Sequence, residues 1–201
     1  MITINKIFNK IKFIIWHNIN KIQVKKIGHK SIINPPLRIE GKEITIGNFT
    51  TVRPKSWLAA KSINKAISPR LKIGNFCCIG NYNEIYATEE IIIEDYVLTA
   101  DRVYISDNLH GYEDPNVPII KQPIKQIGTV RIGEGSWLGV GVSVIGANIG
   151  KHCVIGANAV VTKDIPDFSV AVGIPAKIIK RYNFETKEWE KTNSDGSFLT
   201  H

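Results

Sequence analysis

His110 is the side chain in this sequence that best suits acid–base chemistry. An imidazole exchanges its proton near neutral pH, and an alcohol needs such a base before it can act as a nucleophile. Of the five histidines, three lie in the first thirty residues or at the last position, and His152 occupies an outward position in a regular repeat. His110 lies instead in a proline-rich stretch, Ser106 to Gln126. It is therefore the candidate general base, although a lone loop histidine can equally be an ordinary surface residue.

Two lysines and a tryptophan have the chemistry to bind a ligand. Lys163 and Lys180 follow the last repeats, where basic side chains can meet phosphate groups as point charges or can simply be solvated. Trp137 follows a small inward position, so it should face outward. A groove or a subunit contact explains an outward tryptophan better than a solvated wall does.

A six-residue repeat must position these side chains. An aliphatic residue followed by Gly recurs at Ile132, Leu138, Ile149 and Ile155. This period predicts an all-β fold, a parallel β-helix of hexapeptide repeats in which three units close each coil and coils stack on one another. The Gly is expected at corners because it adopts unusual backbone dihedral angles without steric cost.

A second inward position should fall four residues after each aliphatic residue and should be small. The residues that occupy this position are Thr50, Ser56, Cys77, Ser136, Val142, Cys153 and Ala159. The two rules together predict buried packing roles for Cys77 and Cys153, as thiols in a reducing compartment.

The repeat divides the chain into segments. A basic arm occupies residues 1–30, the β-helix residues 31–165, and a C-terminal extension residues 166–201, with a predicted short helix from Ala176 to Tyr182. Residues 106–126 contain three prolines, which have no backbone N–H to donate to a β-sheet. This segment is therefore predicted to leave the prism. A loop on a rigid scaffold is a usual place for function.

The arm combines lysines with apolar residues at helical spacing and holds no acidic residue. The apolar residues are Ile4, Ile7, Phe8, Ile11, Ile14 and Ile15. Such an amphipathic helix could cap the open first coil or lie on a membrane surface, and both roles remain open.

Length and composition exclude several classes of protein. At 201 residues the chain is one domain, without an apolar run long enough to span a membrane or a signal peptide's apolar stretch. No nucleic-acid module accompanies the net charge of +8, so a polyphosphate cofactor or an anionic membrane surface fits better. The sequence contains no Cys-x-x-Cys spacing, which would have suggested a metal site.

Longer motifs carry a family resemblance. Trp137-Leu-Gly, then Ile155-Gly-Ala-Asn-Ala-Val-Val-Thr-Lys-Asp-Ile-Pro, then Gly173-Ile-Pro-Ala-Lys resemble the hexapeptide-repeat acyltransferases, which have a left-handed parallel β-helix. The chain is most similar to the maltose, galactoside and bacterial polysaccharide O-acetyltransferases. The stretch from Ile105 to Asp114 resembles their catalytic loop, and the whole match covers about Ile39 to Arg181.

The resemblance implies a homotrimer that binds acetyl-CoA between neighbouring prisms, with His110 as general base. It implies Asn81 as the residue that orients His110, with Asn83 and Glu89 as rivals. The positions that match cofactor contacts are Trp137, Val140, Ala157, Thr162, Lys163 and Lys180. Val140 departs from the family pattern, because relatives often carry Ser there.

The expected function is therefore acetyl transfer from acetyl-CoA to a sugar hydroxyl, directly and without metal, in bacterial capsule or O-antigen synthesis in the cytoplasm. Alternatives on the same scaffold are N-acetylation of a nucleotide-linked amino sugar and acetylation of an antibiotic. A metal enzyme of the β-helical carbonic anhydrase class would need three converging histidines, and only His110 and His152 lie in the body. A non-catalytic β-helix scaffold would have no use for the pattern at Thr162, Lys163 and Lys180.

Overall fold

The computed structural model describes residues 23–63 and 68–199, together with Ile15 and Ile19. These residues form a left-handed parallel β-helix of triangular section, which confirms the predicted architecture. Ile15 and Ile19 are helical and exposed, and the other apolar residues of the predicted amphipathic helix lie outside the described residues. No described helix has the length and hydropathy of a membrane span.

Three sheets make the sides of the prism, here called faces A, B and C. Face A consists of β1 (Lys26–Ile27), β4 (Ile44–Ile46), β7 (Arg70–Ile73), β10 (Glu90–Ile93) and β15 (Val130–Ile132). Face B consists of β2 (Ile32–Ile33), β5 (Thr51–Val52), β8 (Cys78–Ile79), β11 (Leu98–Thr99), β16 (Trp137–Leu138), β18 (Val154–Ile155), β20 (Ser169–Val172), β21 (Lys177–Asn183) and β22 (Glu188–Lys191). Face C consists of β3 (Arg38–Glu40), β6 (Trp57–Ala60), β9 (Glu84–Ala87), β12 (Tyr104–Ser106), β17 (Ser143–Ile145) and β19 (Val160–Val161).

The aliphatic residue of each repeat points into the prism, as predicted. On face C, Leu58, Ile85 and Ile105 are paired in register on neighbouring strands and are fully buried. Equivalent columns on the other two faces complete one continuous core. Each coil therefore contributes its stability mainly through contacts with the next coil.

The small inward position is also confirmed, and its hydroxyl groups join one coil to the next. Thr50 Oγ1 donates to the Gly74 carbonyl at 2.7 Å and accepts from the Cys77 amide at 3.0 Å. Ser136 makes the same pair of bonds with Gly150 and Cys153. Ser and Thr suit this buried position because they satisfy backbone groups that the corner leaves without ladder partners. Cys77 and Cys153 are buried free thiols, and burial raises the pKa of each to about 11.

The predicted reason for the corner glycines is wrong. The glycines that directly follow the aliphatic residues do not have positive φ; the left-handed conformation falls two residues later, at Phe49, Phe76 and Tyr96. These three rings stack in a column with centroids 5.0 and 4.9 Å apart. The glycines are required for close packing instead, since a Cβ at Gly80 would lie 2.2 Å from the Ala100 carbonyl oxygen of the next coil.

Gly80→Ala should therefore destabilise the fold by about 1–3 kcal/mol, because rigid backbone must move to admit the methyl group. Thermal and urea unfolding would measure the change. Ser143→Ala, on the outward side of β17, is the control and should leave the free energy of unfolding nearly unchanged. Equal stability of Gly80→Ala and the native protein would contradict the close-packing explanation.

The predicted short helix from Ala176 to Tyr182 is also wrong. Lys177–Asn183 forms β21, which pairs antiparallel with β20 on one side and with β22 on the other. A helix would leave the backbone groups of β20 unpaired at the edge of the last coil, whereas a strand satisfies them. Ile178 completes the core from this strand. The C-terminal extension therefore closes the prism with a hairpin.

Candidate active site

His110 lies on a two-stranded hairpin that projects from face C. Its strands are β13 (Asn108–His110) and β14 (Ile124–Gln126), which pair antiparallel with His110 opposite Ile124, and a short 3₁₀ helix, η1 (Ile119–Lys121), lies between them. The hairpin begins directly after β12 and returns to face A at β15. This is the predicted excursion from the prism, and it leaves the His110 side chain exposed.

Asp107 anchors the base of this hairpin and was not among the residues selected from the sequence. Its carboxylate is 0% exposed and accepts hydrogen bonds from the backbone amides of Thr88, Glu89 and Glu90 at 2.7–3.0 Å. The Thr88 hydroxyl and the side-chain amide of Asn108 also donate to this carboxylate, at 2.8 and 3.1 Å. Thr88 and Glu89 form the slip between β9 and β10, and Glu90 begins β10, so one buried side chain ties the hairpin to an irregularity in the prism.

The neighbours of Asp107 reinforce this attachment. Asn108 donates from its side chain to the Tyr86 carbonyl at 3.3 Å, and its backbone exchanges two hydrogen bonds with the Ser106 hydroxyl. The Ile127 amide donates to the Asp107 carbonyl at 3.0 Å where the chain returns. Both ends of the hairpin are thus held at one place.

The outer part of the hairpin is held by an ion pair between Glu113 and Lys125. The hydrogen bond from Lys125, together with one from the Tyr112 amide, lowers the pKa of Glu113 to about 2. Gln122 crosses the same loop and donates to the carbonyls of Asp114 and Val117 at 2.9 and 2.7 Å. Local polar contacts therefore order a segment that has no core of its own.

A groove of about 480 Å³ lies between the hairpin and face C. Its lining residues are Trp57, Glu84, Tyr86, Tyr104, Asn108, Leu109, His110, Ile124 and Ile145. It is called the C-face groove below. The groove combines three aromatic rings, one carboxylate and one imidazole, and its volume is typical of a small-molecule site.

The aromatic side of the C-face groove is held in a defined orientation. Trp57 and Tyr86 meet edge to face with centroids 5.4 Å apart, and Trp57 Nε1 donates to Glu40 at 3.2 Å. The Arg38 guanidinium lies 5.6 Å from the Trp57 ring. Burial raises the pKa of Tyr86, so its phenol stays protonated at neutral pH.

The positions predicted to contact a cofactor lie mainly on another side of the prism. Trp137, on β16 of face B, is 47% exposed and shares a second groove of about 330 Å³ with Leu98, Cys78 and Val140. Val140 and Ala157 are neighbours at the corner between faces B and C, where the Asn158 amide donates to the Val140 carbonyl at 2.8 Å. The structure thus brings Trp137, Val140 and Ala157 together but places His110 on a different face.

The remaining cofactor candidates are exposed near the end of the prism. Thr162 and Lys163 follow β19 at the next corner, and Lys180 lies on β21 opposite Val170. All three side chains are available to solvent. Among residues 23–63 and 68–199, no three His, Cys, Asp or Glu side chains converge in a way that could hold a metal ion.

The three residues proposed to orient His110 have other contacts. Asn81 donates from its backbone and side chain to Asp101 at 2.8 and 3.0 Å, and it does not line the C-face groove. Asn83 is buried and accepts from the Thr99 hydroxyl at 2.7 Å. Glu89 contributes its backbone amide to Asp107. The orienting role of Asn81 stays a prediction, whereas Asp107 and Asn108 hold the strand that carries His110.

Comparison with known proteins gives matches along most of the chain. A family model described as the hexapeptide repeat of succinyl-transferase matches residues 129–163. A Mycobacterium tuberculosis protein named as an acetyltransferase is 40% identical over 70% of this chain and 43% of its own length. The Escherichia coli protein WbbJ, named for O-acetyl transfer in lipopolysaccharide biosynthesis, is 40% identical over 56% of this chain and 61% of its own length. The chain therefore spans about half the length of the curated relatives it matches.

Solved structures show the same fold. A variant of AntD, an N-acyltransferase from Bacillus cereus solved with dTDP-4-amino-4,6-dideoxyglucose and coenzyme A, has a TM-score of 0.69 at 21% identity, covering 84% of this chain and 90% of its own. A hexapeptide-repeat acetyltransferase from Vibrio cholerae, solved with acetyl coenzyme A, has a TM-score of 0.55 at 21% identity, covering 81% and 74%. In its repeat, its coil geometry and these matches, the chain is similar to the hexapeptide-repeat acyltransferases.

Proposed function

We propose that this protein transfers the acetyl group of acetyl-CoA to a hydroxyl group of a sugar, with His110 as the general base. The observation that carries the proposal is the position of His110, exposed on an anchored hairpin beside a groove of aromatic rings and a carboxylate. Aromatic rings pack against the apolar faces of sugars, and polar side chains bind their hydroxyl groups. The names of the relatives agree with acetyl transfer.

The reaction needs one base and no covalent enzyme intermediate. His110 takes the proton of the sugar hydroxyl while its oxygen attacks the thioester carbon. The tetrahedral oxyanion that forms is stabilised by backbone amides along the groove. When the carbon–sulfur bond breaks, the CoA thiolate leaves, and the proton on His110 passes to it or to solvent. The products are the acetylated sugar and free CoA.

The acetyl-CoA donor would lie along face B and its corner with face C. The groove at Trp137 is lined mostly by small and apolar residues, together with Arg53, Thr99 and Asp101. Its apolar part suits the pantetheine arm, and Val140 and Ala157 continue it at the corner. Thr162, Lys163 and Lys180 would meet the nucleotide end, where basic side chains neutralise phosphates. The named complexes of fold neighbours with coenzyme A agree with this donor.

The groove at Trp137, here called the donor groove, and His110 lie on different faces. We therefore propose that the working protein is a homotrimer. Leu98 and Trp137 form an outward apolar column on face B that is 45% and 47% exposed in one chain. Large exposed apolar residues of this kind mark association surfaces. A second copy packed there would bring its His110 hairpin to the donor groove.

The name of WbbJ favours a bacterial surface polysaccharide as the acceptor. Acetyl-CoA would be used in the cytoplasm, and the basic arm at residues 1–30 would bring the enzyme to the inner membrane surface if the acceptor is carried on a lipid.

Release of free CoA thiol from acetyl-CoA, measured with neutral sugars and amino sugars as acceptors, tests the proposed function. We expect acceptor-dependent release with hydroxyl acceptors. Trp137→Ala should raise the KM for acetyl-CoA about tenfold with kcat less affected, since a stacked aromatic contact is worth about 1 kcal/mol or more. Sedimentation analysis of the same variant would separate a donor contact from a subunit contact. Preferential acetylation of amino groups would favour N-acetyl transfer, and absence of both turnover and CoA binding would refute the proposal.

A further inference from the structure

The C-face groove is longer than one sugar ring. It crosses four neighbouring strands, and its lining residues on them run from Trp57 on β6 through Glu84 on β9 and Tyr104 on β12 to Ile145 on β17. Neighbouring strands lie about 4.8 Å apart, so the groove extends roughly 14 Å along face C. Trp57 lies two strands from β12, the strand from which the His110 hairpin departs. An acceptor that reaches both residues must extend across several coils.

The groove also has a defined charge. Glu84 is the charged side chain among its lining residues, and no lysine or arginine is among them. Among residues 23–63 and 68–199, the Glu84 carboxylate forms neither an ion pair nor a side-chain hydrogen bond, whereas nearby Glu40 is paired with Arg38 and Lys61. Glu84 is thus free to accept hydrogen bonds from hydroxyl groups and to repel a negatively charged ligand.

The far end of the groove is built to present an aromatic ring. Trp57 is half-buried, and contacts with Glu40, Arg38 and Tyr86 fix its orientation. A ring held in place loses little conformational freedom when a ligand packs on it. Trp57 therefore presents a fixed ring two strands away from β12, the strand from which the His110 hairpin departs.

We infer that the acceptor is a glycan segment of more than one sugar without negative charge, that Glu84 excludes anionic acceptors, and that Trp57 binds a sugar beyond the acetylated one. The inference rests on the proposed function for the identity of the reacting sugar. The extended glycan accounts for the length of the groove, and the unpaired carboxylate disfavours sugars that carry a negative charge. Binding energy gained at Trp57 also positions the reacting hydroxyl at His110.

The experiment compares neutral trisaccharides of glucose, galactose, mannose or N-acetylglucosamine with the matching monosaccharides and with hexuronate trisaccharides. The native protein should prefer the neutral trisaccharide to the uronate by about tenfold or more in kcat/KM. Glu84→Gln keeps the shape of the side chain and should remove most of this preference. Glu188→Gln, on the exposed edge strand β22, is the matched control and should keep it.

Trp57 is tested with the same neutral acceptors. Trp57→Ala should raise the KM for the trisaccharide about tenfold and leave that for the monosaccharide unchanged, because it removes only the remote contact. Trp57→Phe keeps a ring and should recover most of the affinity. Thermal unfolding of each variant shows that the fold is intact.

Direct binding separates failure of this inference from failure of the proposed function. Calorimetric titration of the neutral and uronate trisaccharides into the protein needs no turnover, so it tests the groove even if no acetyl transfer is found. Equal affinity for the two ligands, or an unchanged preference in Glu84→Gln, would overturn the role of Glu84. Equal losses for monosaccharide and trisaccharide in Trp57→Ala would overturn the extended acceptor.

Discussion

Replacing His110 with alanine should lower the kcat/KM of acetyl transfer by about 10²–10⁴-fold, the range that a positioned general base contributes. In the proposed reaction His110 is the proton acceptor, and it lies beside the C-face groove on a hairpin whose base is held by buried hydrogen bonds. The change should appear mainly in kcat, because the residues proposed to bind donor and acceptor remain. A coupled assay of CoA thiol release measures both constants.

His152→Ala is the matched control for this experiment. His152 lies on the prism at the corner between faces A and B, where its ring stacks on Phe168 with centroids 5.5 Å apart. Its loss should change stability slightly and leave the chemical step intact. The acetyl-CoA affinity of His110→Ala should equal that of the native protein. Full activity of His110→Ala, or equal losses in the two variants, would remove His110 from the reaction.

Asp107→Ala should destabilise the protein by about 3–5 kcal/mol, because it leaves several buried donors without an acceptor. The amides of Thr88, Glu89 and Glu90 and the hydroxyl of Thr88 all donate to this one carboxylate. Asp107→Asn should cost less, since its amide retains one acceptor oxygen. Urea unfolding monitored by tryptophan fluorescence would give the free energies.

Asp107→Asn should also slow the reaction, because it loosens the hairpin that positions His110. If Asp107 holds the hairpin, hydrogen exchange of residues 108–126 in Asp107→Asn should accelerate more than exchange in the core strands, and kcat should fall while the KM for acetyl-CoA holds. Asp114→Asn, on the exposed part of the loop, is the control; within residues 23–63 and 68–199 its carboxylate accepts only the local amide of Asn116, at 2.9 Å. Uniform acceleration across the whole prism would indicate a global loss of stability and contradict a specific anchor.

The regular part of the fold could be read directly from the repeat. In a coil of three short strands, the direction of each side chain depends only on its position within six residues, so local spacing identified buried Ile85, Ile105 and Thr50. Where the repeat stops, this rule no longer applies. Ala176 to Tyr182 was predicted as a helix, but the unpaired edge of β20 favours a strand there.

The candidate site was likewise predicted only in part from the sequence. The sequence indicated His110 because it lies in the proline-rich excursion at the position that matches the family's catalytic histidine, and it indicated an outward Trp137 from the repeat itself. It did not indicate Asp107, although the slip between Ile85 and Ile93 implied amides without ladder partners, and such amides require an acceptor. The reason predicted for the corner glycines was wrong as well. They are required because backbones of neighbouring coils approach closely, as Gly80 and Ala100 do, and this contact lies between two coils.

The sequence by itself determined that the chain is a β-helix, which side chains face inward and which histidine could act as a base. Only the tertiary structure decided which residues share a groove. Trp57, Glu84, Tyr104 and His110 lie far apart in sequence, and they meet because their strands stack in register on face C while the hairpin folds over them. The physical reason is that a six-residue period determines direction locally, whereas proximity between coils depends on the length of every slip and excursion in between.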